Sequence, residues 1–148
     1  MEIEYTIQQV EQQKELAKTN YKEAYDNLIQ IEKYARNHDE KELLDKTIEI
    51  LIEITKETQP IDNLNELIKF IISRRSQNKE SIKLMIEKLM KYIDEFLQNN
   101  ETEKYEELNK TVCEQTEGKV YIDYERAYAL MILSLHLSVP CKRLVFMN

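Results

Sequence analysis

The sequence predicts an all-α fold, a right-handed solenoid of about three stacked antiparallel helical hairpins. Three observations predict it. Apolar residues recur at helical spacing in one segment after another, and most segments open on a residue able to cap a helix. Glycine and proline are nearly absent, one Gly and two Pro in 148 residues, so the backbone avoids conformational freedom almost everywhere. Helix starts near Asn20, Asp39, Asp62, Asn78, Asn100 and Lys119, taken in pairs, repeat at roughly 40 residues, within the range of stacked-helix repeats.

The elements follow in order. In "NYKEAYDNLIQIEKYARNH", Tyr21, Ala24, Tyr25, Leu28, Ile31 and Ala35 share one face, and Asn20 with Glu23 reads as a capping box. The preceding segment from Ile3 to Ala17 is read as an extension of this helix, because Ile7 and Val10 continue its stripe. Asp39 with Glu42 repeats the capping pattern before an apolar face of Leu44, Ile48, Leu51, Ile52 and Thr55. Pro60 ends that helix, since proline disfavours a helical residue before it. Asp62 is expected to cap a third helix bearing Leu64, Leu67, Ile68, Ile71 and Ile72. Polar "SRRSQN" breaks the pattern, and a fourth helix carries Ile82, Met85, Ile86, Leu89, Ile93, Phe96 and Leu97. Asn100 with Glu103 reads as another capping box, opening a short helix with Tyr105, Leu108 and Val112.

The only glycine, Gly118, falls just past this last periodicity, where a left-handed helix end is usual. "KVYIDYERA" alternates like a strand, but nothing else in the chain offers a partner strand, and an unpaired strand strands its backbone groups. At helical spacing Val120, Tyr121, Tyr124, Ala127, Tyr128, Met131 and Leu135 form one stripe, so Gly118 is read as a corner between helices. The domain organisation that follows is an N-terminal extension over 1–19, partly helical or disordered, a helical-repeat domain over 20–138, and a C-terminal tail over 139–148.

Composition narrows the function. A formal net charge of −7 and a pI of about 5.0 argue against general attraction to nucleic acid or anionic lipid. The most apolar run, Ala127 to Val139, is interrupted by Ser and His and falls short of a membrane span of ~18–20 residues. Cys113 and Cys141 have no metal-type spacing and read as free thiols of a reducing compartment. The acidic, Gln-rich start resembles no targeting peptide. His38 sits in a polar turn and His136 in the apolar final run, with nothing to orient either one for catalysis. Glycine-rich phosphate loops, HExxH and Glu-x-x-His pairs do not occur. The expectation is a protein that is not an enzyme, takes no cofactor, metal or small-molecule substrate, and resides in cytoplasm and nucleus.

Charge placement is more informative. From Lys69 to Lys91 lie seven basic residues and two acidic ones, a local net charge of +5 against −12 for the rest of the chain. Arg74, Arg75, Lys79 and Lys83 are the candidate contacts for an acidic partner surface, and Lys83, Glu87 and Lys91 are also ordinary i, i+4 partners on a solvated helix face. Phe70 is the one aromatic residue within the cluster, too few to interleave with it, which weakens an RNA-binding reading.

Two segments, "NLNELIKFIISRRSQNK" and "TEGKVYIDYERA", resemble in order and separation the N-terminal half of the 26S proteasome non-ATPase regulatory subunit 12 family. "YDNLIQIEKYARNHDEKELLDKTIEILIEI" fits the helix of that family with an L-E-K-x-x-R pattern, so the likeness covers residues 20–129. The resemblance implies a TPR-like arm of the kind that precedes a PCI-type winged-helix module, in a non-catalytic scaffold of the regulatory-particle lid. Implied partners are other lid, base and core subunits, with no nucleic acid and no membrane. Gly118, Tyr121, Glu125 and Arg126 carry its second motif, and Glu125 and Arg126 are expected to hold adjacent hairpins together. A related lid-like complex such as the signalosome, or a free-standing adaptor using the basic 69–91 face for an acidic partner or RNA, are the alternatives. After Ala129 the sequence departs from the family: "LMILSLHLSVPCKRLVFMN" is apolar and is expected to cap the end of the solenoid or to drive self-association.

Overall fold

The computed structural model describes residues 4–117, and within them six α-helices and no strand. The helices are α1 (Ile7–Leu16), α2 (Tyr21–Asn37), α3 (Lys41–Thr58), α4 (Ile61–Ser73), α5 (Lys79–Gln98) and α6 (Thr102–Gln115). The all-α class is as the sequence predicts. The chain divides into two compact units between Met85 and Ile86. Gly118, the helix read after it and the apolar tail lie outside the described residues.

In the first unit α3 is the central element. Its Leu43, Leu44, Thr47, Ile48, Ile50, Leu51, Ile52, Ile54 and Thr55 are all buried, far more than one stripe, because α1, α2 and α4 all pack against it. The buried hydroxyl of Thr47 donates back to the Leu43 carbonyl at 2.6 Å, which removes the cost of burying it. Around α3, α2 buries Ala24, Leu28, Ile31 and Ala35, and α4 buries Leu64, Leu67, Ile68 and Ile71. In the second unit Leu89, Ile93 and Phe96 of α5 and Tyr105, Leu108 and Val112 of α6 are buried.

The start of the chain differs from its expected continuity with α2. Helix α1 is separate, opened by a complete capping box in which Gln9 N–H donates to Thr6 Oγ1 at 3.3 Å and Thr6 N–H to Gln9 Oε1 at 2.7 Å. It ends in a tight turn, with Asn20 N–H donating to the Leu16 carbonyl at 2.8 Å. Helix α1 then packs on both α2 and α3, where Val10 is fully buried and Lys14 pairs with Glu53 at 2.7 Å.

Asn20 caps as expected, accepting from the backbone N–H of Glu23 at 3.2 Å, and Asn78, expected only as a helix start, accepts from Ser81 N–H at 2.9 Å. Asp39, Asp62 and Asn100 do not. Asp39 has φ 54° and Asn100 φ 58°, both in the left-handed region. Each belongs to the end of the preceding helix: Glu40 N–H reaches back to the Ala35 carbonyl at 2.9 Å, and Glu101 N–H to Phe96 at 2.8 Å. That six-to-one bond closes a helix C-terminus on a left-handed residue, a position that Asp and Asn tolerate better than other non-glycine residues. The following helices start at Lys41 and Thr102 on Glu40 and Glu101, neither of which gives a side-chain cap. Asp62 lies inside the first turn of α4 behind Pro60, where its charge favours the helix dipole and makes no cap bond.

Two outcomes test this description. Asp39→Gly is expected to match or exceed the parent in stability, and Asp39→Val to lose about 1–2 kcal/mol in urea unfolding, the cost of a branched side chain in the left-handed region; a clear loss with glycine would restore the capping role. Burial pushes the Tyr105 phenol up to about 12 from an ordinary 10.0, against the smaller opposing effect of its hydrogen bond with Asn109. A phenol that ionises less readily when folded stabilises the fold fully below pH 10, and that contribution is lost as pH rises towards 12. Tyr105→Phe should therefore flatten the decline in stability across that window, measured by urea midpoints at stepped pH, though burial of Tyr21 and Tyr25 raises their phenols too and leaves some slope.

Candidate functional site

The turn between α4 and α5 holds "RRSQN", and it does not hang free. On α2, Glu32 and Arg36 stand four residues apart on the buried face, 1% and 8% exposed. Arg36 Nε donates to Glu32 Oε2 at 3.0 Å and Nη2 to Oε1 at 3.4 Å, the two-pronged geometry that suits a guanidinium and a carboxylate. The third edge of the guanidinium is used as well, since Nη1 donates to the Arg75 carbonyl at 2.9 Å. From the turn, Gln77 Nε2 donates to Glu32 Oε2 at 3.1 Å and to the Ile71 carbonyl at 2.9 Å. The same amide accepts from Asn78 N–H at 3.1 Å, and Asn78 in turn caps α5. One continuous set of bonds therefore runs from the middle of α2 through the turn to the first residues of α5.

Arg74 completes the cluster on different terms. Its guanidinium lies over the Phe70 ring, 4.7 Å from the centroid. Its Nε is 4.0 Å from Glu32 Oε1, an ion pair too long to be a hydrogen bond, and that buried nitrogen has no acceptor. Glu32 thus faces two guanidinium groups and is already satisfied by Arg36 and Gln77. The local balance is one positive charge in excess, beside an Arg75 whose carbonyl is tied into the fold while its side chain is exposed.

Of the basic residues singled out from sequence, Arg74, Arg75 and Lys79 are gathered at this turn, and Lys83 sits half-buried one helical turn along α5. Lys69 is occupied by Glu66 at 3.6 Å. Lys88 and Lys91 belong to the second unit, where Lys88 lies 5.4 Å from the Tyr92 ring. Gly118, Tyr121, Glu125 and Arg126 lie outside the described residues, as do His136 and Cys141. His38 is exposed, stacked on Tyr34 at 4.2 Å, with Nδ1 2.8 Å from the Tyr34 carbonyl. Cys113 is buried, its thiol donating to Asn109 Oδ1 at 4.0 Å. Among the described residues no group of three or more His, Cys, Asp or Glu is placed to hold a metal ion, and no helix is long and apolar enough to cross a membrane. Sequence reasoning missed Glu32, Arg36 and Gln77. The available signal was two opposite charges four apart and adjacent to the apolar positions Ile31 and Ala35, where a surface pair would not fall.

Comparison with known proteins converges on one family. The model of the family described as PSMD12/CSN4, N-terminal, matches residues 23–138. The chain is similar to the 26S proteasome non-ATPase regulatory subunit 12 of Dictyostelium discoideum, 29% identical over 122 residues, covering 82% of this chain and 27% of that protein. It is also similar to the 26S proteasome regulatory subunit RPN5 of Saccharomyces cerevisiae, 30% identical over 122 residues, covering 76% and 25% respectively. Homolog B of subunit 12 from Arabidopsis thaliana is 35% identical over 71 residues, covering 48% and 15%. The chain spans about a quarter of the length of the first two of these relatives.

The network makes an ordering that unfolding experiments can check. Arg36→Met should cost about 3–5 kcal/mol, because it leaves Glu32 buried without its main partner and the Arg75 carbonyl without its donor. Gln77→Ala, which removes one neutral donor from the carboxylate, should cost about 1.5–3 kcal/mol. If the arginine variant proved the milder of the two by urea titration, the pair would not anchor the turn.

Proposed function

Because this chain belongs to the PSMD12/CSN4 N-terminal family, we propose that it is a non-catalytic helical arm of the 26S proteasome regulatory particle, in the lid, supporting assembly through protein–protein contacts. The observation that carries the reading is the family match across residues 23–138, joined by relatives that are themselves 26S regulatory subunits. On this proposal residues 20–138 form a helical-repeat arm of the right-handed solenoid kind, and the partners are lid, base and core subunits. Work would be done in cytoplasm and nucleus, without cofactor, nucleic acid or lipid. The family description also joins CSN4, so a lid-like assembly of the signalosome kind is the second reading.

Arg74, Arg75, Lys79 and Lys83 are the proposed contact residues. Arg75 is the most informative because its backbone serves the fold and its exposed side chain does not. The tagged chain, purified from its own cells and analysed by mass spectrometry, is expected to recover lid, base and core subunits. Arg75→Glu should reduce that recovery at least severalfold while leaving the urea midpoint within about 0.5 kcal/mol, as for other surface substitutions. Recovery of signalosome subunits instead would move the chain to the second reading, and recovery of neither would remove the assembly role.

A further inference from the structure

A groove of about 600 Å³ lies in the first unit between residues of α2 and α4, with Gln59, just after α3, at one end. Its floor is apolar and aromatic, formed by Tyr21, Tyr25, Leu67 and Phe70. The two tyrosine rings lie 5.7 Å apart, and Tyr21 is held in place by a hydrogen bond between its hydroxyl and Thr55 Oγ1 at 2.8 Å. The rim is electrically balanced: Lys22 is 3.7 Å from Asp26, and Glu66 is 3.6 Å from Lys69. At the Gln59 end, Asn63 Nδ2 donates to Gln59 Oε1 at 3.1 Å.

The mouth at the Phe70 end is different. There the surplus arginine, Arg74, lies over the very ring that lines the groove. Its carboxylate neighbour is already satisfied by Arg36 and Gln77, its side chain is 28% exposed although the Nε that faces Glu32 is buried, and the exposed Arg75 follows it in the chain. An aromatic face fixes the orientation of a guanidinium and leaves its edge N–H groups for a planar acceptor, the arrangement that favours a carboxylate over a hydrated point charge. An apolar trough ending in an unspent guanidinium complements one kind of occupant.

We propose that this groove binds a segment of a partner protein that seats an aromatic or large aliphatic side chain between Tyr25 and Leu67 and presents an Asp or Glu to Arg74. The proposal rests on the partner-docking reading above and adds to it a second contact, with its own chemistry, separate from the exposed Arg75 side chain. Phosphodiester backbones would also meet an arginine, but the groove floor supplies only two tyrosines and a phenylalanine beside a leucine, and the rim carries no net positive charge. A peptide is the occupant that uses all of it.

The test is panning of a random heptapeptide phage library against the full chain, followed by titration of the synthetic consensus peptide. The expected consensus pairs an aromatic or large aliphatic residue with an Asp or Glu. Its affinity should fall at least tenfold in Tyr25→Ala, as for truncation of an aromatic anchor, and at least tenfold in Arg74→Gln. Glutamine is chosen so that no second carboxylate is placed beside Glu32, and circular dichroism with a urea midpoint confirms that each variant is folded. Gln8→Glu, on the exposed first turn of α1 and not among the groove-lining residues, should leave affinity unchanged. No enrichment, a consensus without an acidic residue, affinity unmoved by either groove variant, or displacement of the peptide by a uridine oligonucleotide at equal concentration would each overturn the proposal. If the consensus peptide binds as expected while proteasome subunits fail to copurify, the groove stands and only the assembly reading falls.

Discussion

The buried pair of Glu32 and Arg36 is the constraint on which the first unit is arranged. A carboxylate and a guanidinium taken out of water lose several kcal/mol of solvation apiece, and their mutual attraction repays this only when the remaining donors and acceptors are also used. Here they are used, and the partners that use them come from the turn between α4 and α5, about forty residues away in sequence. The consequence is directional. Apolar packing of α2 and α4 on α3 would accept a range of turn conformations, whereas a guanidinium whose third edge must meet one particular carbonyl accepts very few. The pair therefore adds little to stability that a hydrophobic pair would not, and its physical value lies in fixing where the "RRSQ" backbone runs.

Much of the architecture was legible from periodicity, and the reasons for the exceptions are specific. Helix existence and core faces follow from the 3.6-residue recurrence, so Leu64, Leu67, Ile68 and Ile71 were found by counting. The capping pattern was less reliable because Asp and Asn serve two purposes. Both accept hydrogen bonds at helix starts, and both tolerate the left-handed conformation at helix ends. In a chain with one glycine, left-handed helix ends must be filled by something else, and Asp39 and Asn100 take that role, while Ser76 is left-handed within the turn between α4 and α5. Where Asn20 has no left-handed duty to perform, the capping reading holds. The error at Asp39 and Asn100 was thus one of direction: the residue closes the helix behind it instead of opening the one ahead.

The site was legible in its parts and not in its assembly. The segments "IEKYAR" and "RRSQ" both stood out as carrying the family resemblance, yet no local rule joins residues separated by about forty positions. Helical spacing places Glu32 and Arg36 together because four residues is one turn; nothing comparable places Gln77 against Glu32. Three-dimensional proximity gives the two motifs one physical origin, since each contains the other's hydrogen-bond partners. Side-chain identity in "RRSQ" is accounted for at two positions, the first arginine for its stacked charge and the glutamine for an amide that both donates and accepts, while position 75 serves the fold through its carbonyl and Ser76 through a left-handed backbone.

That division also explains how one short turn can serve folding and recognition without conflict. Structural demands fall on the backbone of Arg75, on the amide of Gln77 and on the aliphatic and face contacts of Arg74. What is left over is the outward side chain of Arg75 and the exposed part of the Arg74 guanidinium, away from the Nε buried beside Glu32. A lysine at position 74 would keep the charge but lose the stacking plane that orients it on Phe70. An alanine at position 75 would keep the carbonyl that Arg36 needs while removing the exposed cation. The two arginines are adjacent and chemically identical, but the fold has consumed opposite ends of them, and only the ends it has left unused are free to meet another protein.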